Sequence, residues 1–172
     1  MPESNLGGHT SELLLLMRDF DFEQSGIKTV HAVIGSDGDI LSEKKLLEQK
    51  WIRSIHKITR GRFVGGSLLS SIPHLLQLLL QSIWLARKIF CTETIVICNG
   101  PAICVPLAII GSLLRATTGN RYPLVIYVES FARVCNLSIS GRILYWFATK
   151  FIVQWPQLQS KYSQAEYLGV LI

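Results

Sequence analysis

The stretch Thr94-Ile95-Val96-Ile97-Cys98-Asn99-Gly100-Pro101 decides the fold. Its β-branched, apolar opening predicts a buried strand of a parallel sheet, and Asn99, followed by a glycine and a proline, ends that strand abruptly. Glycine permits a left-handed turn and proline suits a first helical position, so the stretch reads as strand, turn, helix. The pattern recurs downstream, where the apolar run 124–127 leads into Val128-Glu129-Ser130-Phe131-Ala132-Arg133-Val134. Polar groups placed where parallel strands end mark the ligand-facing edge of an open α/β sheet. A third polar cluster, Gly7-Gly8-His9-Thr10, opens the first helical pattern of the chain.

Working outward, helical periodicity is expected over 10–19, 41–49, 71–90, 103–117 and 139–148, and strands over 29–34, 51–58, 94–97 and 124–128, with 151–154 and 167–168 as short strand candidates. Strands alternating with helices imply βαβ units, right-handed crossovers and helices on both faces of one sheet. The 172 residues are expected to form a single domain. A Gly-Gly turn that opens a helix is normally fed by a strand, yet only residues 1–6 precede this one and they are too polar for a sheet centre. The first strand is therefore expected to be missing.

Charged residues make up 17% and hydrophobic ones 49%, with mean hydropathy +0.34, against about 25% charged in an ordinary soluble domain. Such a balance predicts apolar surface that meets a membrane or a partner. The formal charge is +5, and Lys44, Lys45, Arg53, Lys57, Arg60 and Arg62 give the middle of the chain a basic character suited to an anionic leaflet or a diphosphate. No recognition motif accompanies that charge, so nucleic acid is not the expected partner. Cys91, Cys98, Cys104 and Cys135 lack C-x-x-C spacing and read as thiols of a reducing compartment, without disulfide or zinc. The opening Met-Pro-Glu-Ser has no basic and apolar leader, which predicts a cytosol-facing chain. Residues 75–90 would make a helix about 24 Å long with His74, Gln77, Gln81 and Lys88 on one polar stripe, an amphipathic rather than a spanning helix. The apolar run 101–114 is shorter than the ~18 residues that argue for a span.

Gly7-Gly8 ahead of His9-Thr10 leaves backbone N–H groups free to meet an anion at the positive end of a helix, which favours a diphosphate, although a turn capped by Thr10 explains the same residues. His9 reads as a base, a phosphate donor or a hydrogen-bonding member of the turn. Asn99 offers an amide at a strand end. A carboxylate at Glu129, directly after so apolar a run, must be solvated, paired with Arg133, or used. Arg60-Gly61-Arg62 is able to neutralise phosphate or simply to sit in solvent. Asp37-Gly38-Asp39 has the spacing of a metal-binding pair, but turn chemistry accounts for it, and no metal is expected.

Taken in order, Gly7-Gly8-His9-Thr10-Ser11-Glu12, Cys98-Asn99-Gly100-Pro101, Tyr127-Val128-Glu129-Ser130 with Arg133-Val134, Leu137-Ser138-Ile139-Ser140-Gly141, Phe151-Ile152-Val153-Gln154-Trp155-Pro156 and Tyr167-Leu168-Gly169 resemble one family over nearly the whole chain. It is the membrane-anchoring subunit of the eukaryotic UDP-N-acetylglucosamine transferase that adds the second sugar to dolichyl-diphosphate-linked N-acetylglucosamine. The resemblance implies a Rossmann-like open parallel sheet, the N-terminal, acceptor-binding half of a split GT-B glycosyltransferase, with the donor-binding half in a separate cytosolic catalytic subunit. It also implies a place at the cytosolic face of the endoplasmic reticulum membrane, and no cofactor. On the same resemblance His9 and Glu129 assist deprotonation of the acceptor hydroxyl, while Gly7, Gly8, Thr10, Asn99, Gly100, Ser130 and Arg133 face the acceptor and its diphosphate. Tyr167, Leu168, Gly169, Val170, Leu171 and Ile172 would dock the partner. Family members carry a transmembrane anchor and a strand ahead of the turn, and neither is expected in this sequence. Two rival readings are a purely structural membrane recruiter and a self-sufficient phosphate-ester enzyme on a flavodoxin-like sheet.

Overall fold

The computed structural model describes residues 8–36, 40–59, 72–91 and 93–171. In chain order the elements are α1 (His9–Met17), β1 (His31–Gly35), α2 (Ile40–Leu47), β2 (Ser54–Ile58), α3 (Ile72–Ile89), β3 (Ile95–Asn99), α4 (Cys104–Thr118), β4 (Leu124–Val128), α5 (Ile139–Leu144), β5 (Lys150–Val153), α6 (Pro156–Lys161) and β6 (Ala165–Tyr167). Every strand pairing is parallel, as expected for strands joined through helices. The result is a Rossmann-like α/β fold. Its strands form two groups, β1–β2 and β3–β4–β5–β6. Among the described residues no strand pairing joins β1 to β3, so the one sheet expected from the sequence is seen as two groups, and residues 1–7, on which the expectation of a missing first strand rests, lie outside the described residues.

Register explains the main core. Val96 lies opposite Val125, Cys98 opposite Tyr127, Tyr127 opposite Phe151 and Phe151 opposite Ala165, so one face of the sheet carries only apolar and aromatic groups. They pack against Ala108 of α4, Leu144 of α5 and Leu158 of α6. Tyr127 and Phe151 stack with ring centroids 5.0 Å apart. On the opposite face Ile95 and Ile97 of β3 remain exposed. A second, smaller core joins Ile58 of β2 to Leu78 and Leu85 of α3.

Three expectations need correction. The segment 139–148 is helical only to Leu144, and α6 was not anticipated, although Pro156 at its first turn is a helix-start signal. The polar stripe expected on α3 does not face solvent as a unit. Gln81 turns inward and accepts a hydrogen bond from the Thr59 amide at 2.7 Å, while leucines occupy the outer surface. Finally, α1 begins at His9 with Gly8 as its cap residue and no side-chain cap, so Thr10 does not cap it. Arg60-Gly61-Arg62 and the 37–39 turn lie outside the described residues.

Candidate functional site

Three strand ends build the site. Asn99 is the last residue of β3, Glu129 and Ser130 follow β4, and Gln154 follows β5. All four are buried, at the carboxyl edge where parallel strands present their ends to a ligand. The first turn of α1 lies across that edge.

Glu12 holds the arrangement together. Its Oε1 accepts from the Phe131 amide at 2.5 Å and from Gln154 Nε2 at 3.2 Å, while Oε2 stands 3.7 Å from His9 Nδ1. The Asn99 amide completes the set. With Nδ2 turned toward α1 it donates to the His9 carbonyl oxygen and to Glu12 Oε2, each at 3.3 Å, whereas the opposite orientation leaves only a 3.4 Å contact to the Val128 carbonyl. The first orientation satisfies more groups and is adopted. Burial pushes the Glu12 carboxyl up, but hydrogen bonds from His9, the Phe131 amide and Ser130, together with the charge of His9, outweigh it and hold the group below the usual carboxylate range.

His9 is the outward-facing member, its side chain 45% exposed. Its ring lies on Gly100: a Cβ there would fall 2.2 Å from His9 Cε1, and Gly100 itself has φ +75°. A left-handed turn and a ring in contact both demand glycine. Behind His9, the Ser11 and Glu12 amides bond back to the Gly8 carbonyl at 3.1 and 3.3 Å, and the earlier amides of the turn point along the helix start.

Glu129 lies beneath this rim. It is fully buried, so it is not solvated, and its carboxylate is held by four donors rather than by Arg133. Oε1 accepts from Tyr127 Oη at 3.3 Å and the Ser130 amide at 3.1 Å; Oε2 accepts from the Ser138 amide at 3.0 Å and Ser138 Oγ at 3.2 Å. Ser138 in turn caps α5 by accepting from the Gly141 amide at 2.9 Å. Burial and the Glu129 charge push the Tyr127 hydroxyl well up, keeping it a donor. The carboxylate thus pins the loop that leaves β4 to the start of α5.

Of the residues expected at the site, Gly8, His9, Thr10, Asn99, Gly100 and Ser130 come together at the edge, with Glu129 behind them. Arg133 is exposed, fastened through its amide to the Ser130 carbonyl at 2.9 Å. Tyr167, Leu168 and Val170 are exposed, Gly169 takes φ +92°, and the Leu171 amide donates to Gln154 Oε1 at 3.1 Å. Gly7 and Ile172 lie outside the described residues. Glu12 and Gln154 were quoted in the motifs but given no role. Gln154 occupies the same position after its strand as Glu129 after β4, and that equivalence was the available signal. Among the described residues no cluster of three His, Cys, Asp or Glu side chains is placed to hold a metal ion.

A model of the family described as "Oligosaccharide biosynthesis protein Alg14 like" matches residues 4–171. The chain belongs to the Alg14-like family. A relative from Yarrowia lipolytica, a UDP-N-acetylglucosamine transferase subunit ALG14, is 40% identical across 96% of this chain and 77% of its own length. Relatives of the same name from Schizosaccharomyces pombe and Homo sapiens are 37% and 34% identical, each match covering 96% of this chain and 79% of the relative. No solved structure matches. The Alg14-like match spans every element that carries the site, from α1 to the segment after β6.

Proposed function

We propose that this chain is the non-autonomous subunit of the UDP-N-acetylglucosamine transferase that adds the second N-acetylglucosamine to dolichyl-diphosphate-linked N-acetylglucosamine in protein N-glycosylation. It forms the acceptor side of a cleft, at the cytosolic face of the endoplasmic reticulum membrane, and a separate donor-binding subunit closes that cleft in a GT-B-like heterodimer. The observation that carries the reading is the convergence of α1, Asn99, Glu129 and Gln154 on one sheet edge, in a chain whose relatives are named as subunits of that transferase.

In this reading the acceptor diphosphate meets the start of α1, where Gly8 allows close approach and helix amides with no intrahelical acceptor point outward. The acceptor 4-hydroxyl attacks the anomeric carbon of the donor sugar, the bond from that carbon to the UDP oxygen breaks, and the hydroxyl proton leaves to a base. His9, exposed and set against Gly100, is the candidate that touches the acceptor. Glu12 and Asn99 hold the first turn of α1, and Glu129 acts one layer deeper by fixing the loop that carries Ser130 and Arg133. Residues 167–172 form the docking segment for the catalytic subunit; of these, Tyr167, Leu168 and Val170 are exposed, and Leu171 is tied to Gln154 at the same edge.

The test is co-expression with the donor-binding subunit and an assay of sugar transfer from UDP-N-acetylglucosamine to a short isoprenyl-diphosphate N-acetylglucosamine. His9→Ala is expected to lower kcat about 100-fold or more while the two chains still co-purify, the range in which general-base assistance operates. Unchanged turnover with intact partner binding would establish the recruiter reading instead. Transfer by this chain alone would refute the split-enzyme reading.

A further inference from the structure

The outer surface of α3 is an apolar feature that the site leaves unused. Ile72, Leu75, Leu76, Leu79, Leu80 and Trp84 follow one another at helical spacing, and each is between 42% and 62% exposed. Leu78, Ser82, Leu85 and Ala86 occupy the buried side. Isolated exposed leucines are ordinary, but a continuous stripe about 18 Å long on one helix is not. No helix among the described residues is long and apolar enough to cross a membrane.

The charges around the stripe decide its occupant. From Ile72 to Cys91 the sequence contains no carboxylate, and its only full charges are Arg87 and Lys88. Lys88 Nζ sits over the Trp84 ring at 5.1 Å from its centroid. Trp84 also borders a cleft of about 280 Å³ shared with His56, Lys57 and Gln81; there Lys57 is paired with Glu43 at 2.7 Å. A leucine stripe ending in a tryptophan with cations over and beside it is the pattern of a helix lying in the plane of an anionic lipid surface. We infer that the outer face of α3 is this chain's lipid-docking surface and that it takes an anionic bilayer, with the helix axis in the membrane plane and Trp84, Arg87 and Lys88 at headgroup level. The direction of α3 is also defined. Gln81 is bonded to Thr59 beyond the end of β2, whereas Trp84 lies beside His56 and Lys57 within it. The helix therefore runs antiparallel to β2, and its first turns extend past that strand's carboxyl end.

This inference deepens the membrane contact in the function proposed above, but it is tested without partner or acceptor. The full chain is floated with vesicles of phosphatidylcholine alone and of phosphatidylcholine with phosphatidylserine. Binding to the anionic vesicles is expected, and Leu76→Gln with Leu80→Gln lowers the partition constant about thirtyfold, roughly fivefold for each half-exposed leucine. Arg87→Gln with Lys88→Gln lowers it by a similar factor on anionic vesicles and leaves binding to the neutral ones unchanged. Ile139→Gln removes a still more exposed aliphatic group from α5 and is expected to change nothing. All of these positions are exposed, and circular dichroism checks that each variant stays folded. The inference is overturned if the wild-type chain binds neither vesicle, if the α3 variants bind like wild type, or if α3 instead mediates dimers that the leucine substitutions dissolve. Loss of vesicle binding with normal transfer to a soluble acceptor would leave the enzymatic reading standing, and the converse result would leave the docking surface standing.

Discussion

Replacing Glu129 by glutamine separates a residue that works on substrate from one that holds the fold. The carboxylate accepts four hydrogen bonds, two on each oxygen, and one donor on each side is a backbone amide, Ser130 on Oε1 and Ser138 on Oε2. The hydroxyls of Tyr127 and Ser138 can rotate to suit a new partner, but the amides cannot. Whichever way the glutamine amide turns, one buried backbone N–H then faces an NH₂ group. A hydrogen bond to a charged acceptor contributes about 1.5–3 kcal/mol, and leaving a buried donor unpaired adds a cost of similar size, so the loss comes to about 3–5 kcal/mol. For a chain of this length each kcal/mol corresponds to about 2–4 °C in Tm, so a fall of roughly 10 °C is expected. Thermal and urea unfolding of the isolated chain measure it. Gly141→Ala should act in the same direction, because its Cβ would lie 2.1 Å from Glu129 Oε2. If Glu129→Gln melts within a degree or two of the wild type while turnover in the complex collapses, the buried-anchor argument is wrong and the carboxylate acts on the acceptor itself.

Glu12 has a proton affinity lowered on folding, so it stabilises the fold above its ordinary pKa of 4.5 and loses that contribution as pH falls through the lower folded value. The stability difference between wild type and Glu12→Gln is therefore expected to be constant near neutrality and to shrink below about pH 4.5, as read by urea titrations over an acid series. Gly100→Ala should cost about 1–3 kcal/mol through its left-handed backbone alone, and by displacing the His9 ring it should reduce transfer in the complex more than the melting shift accounts for. Gln154→Leu removes the acceptor that secures the Leu171 amide. Hydrogen exchange at that amide should speed up at least tenfold while the amides of β4 keep their protection, and an unchanged rate would show that the tail is held by something else.

The sheet was legible because apolar β-branched runs separated by helical patterns admit few alternatives. The rim was legible for a related reason, since Asn99 and Glu129 are polar residues placed where a buried strand must end. What connects them was not. Glu12 and Gln154 stand 142 positions apart in sequence, and nothing local to either residue announces the other. The depth of Glu129 was also hidden, because its donors come partly from Ser138, which follows a loop whose path only tertiary packing determines. The orientation of α3 failed to follow from its helical pattern for a similar reason. A helix with both polar and leucine-rich stripes can turn either way, and the contact between Gln81 and Thr59 decided it.

The hydrogen bond from Leu171 to Gln154 carries a practical corollary for engineering. Leu171 lies beside the sheet edge that a donor-binding half would cover in the function proposed above, so a single-chain enzyme joined at this residue would need only a brief connector and no detour around the sheet.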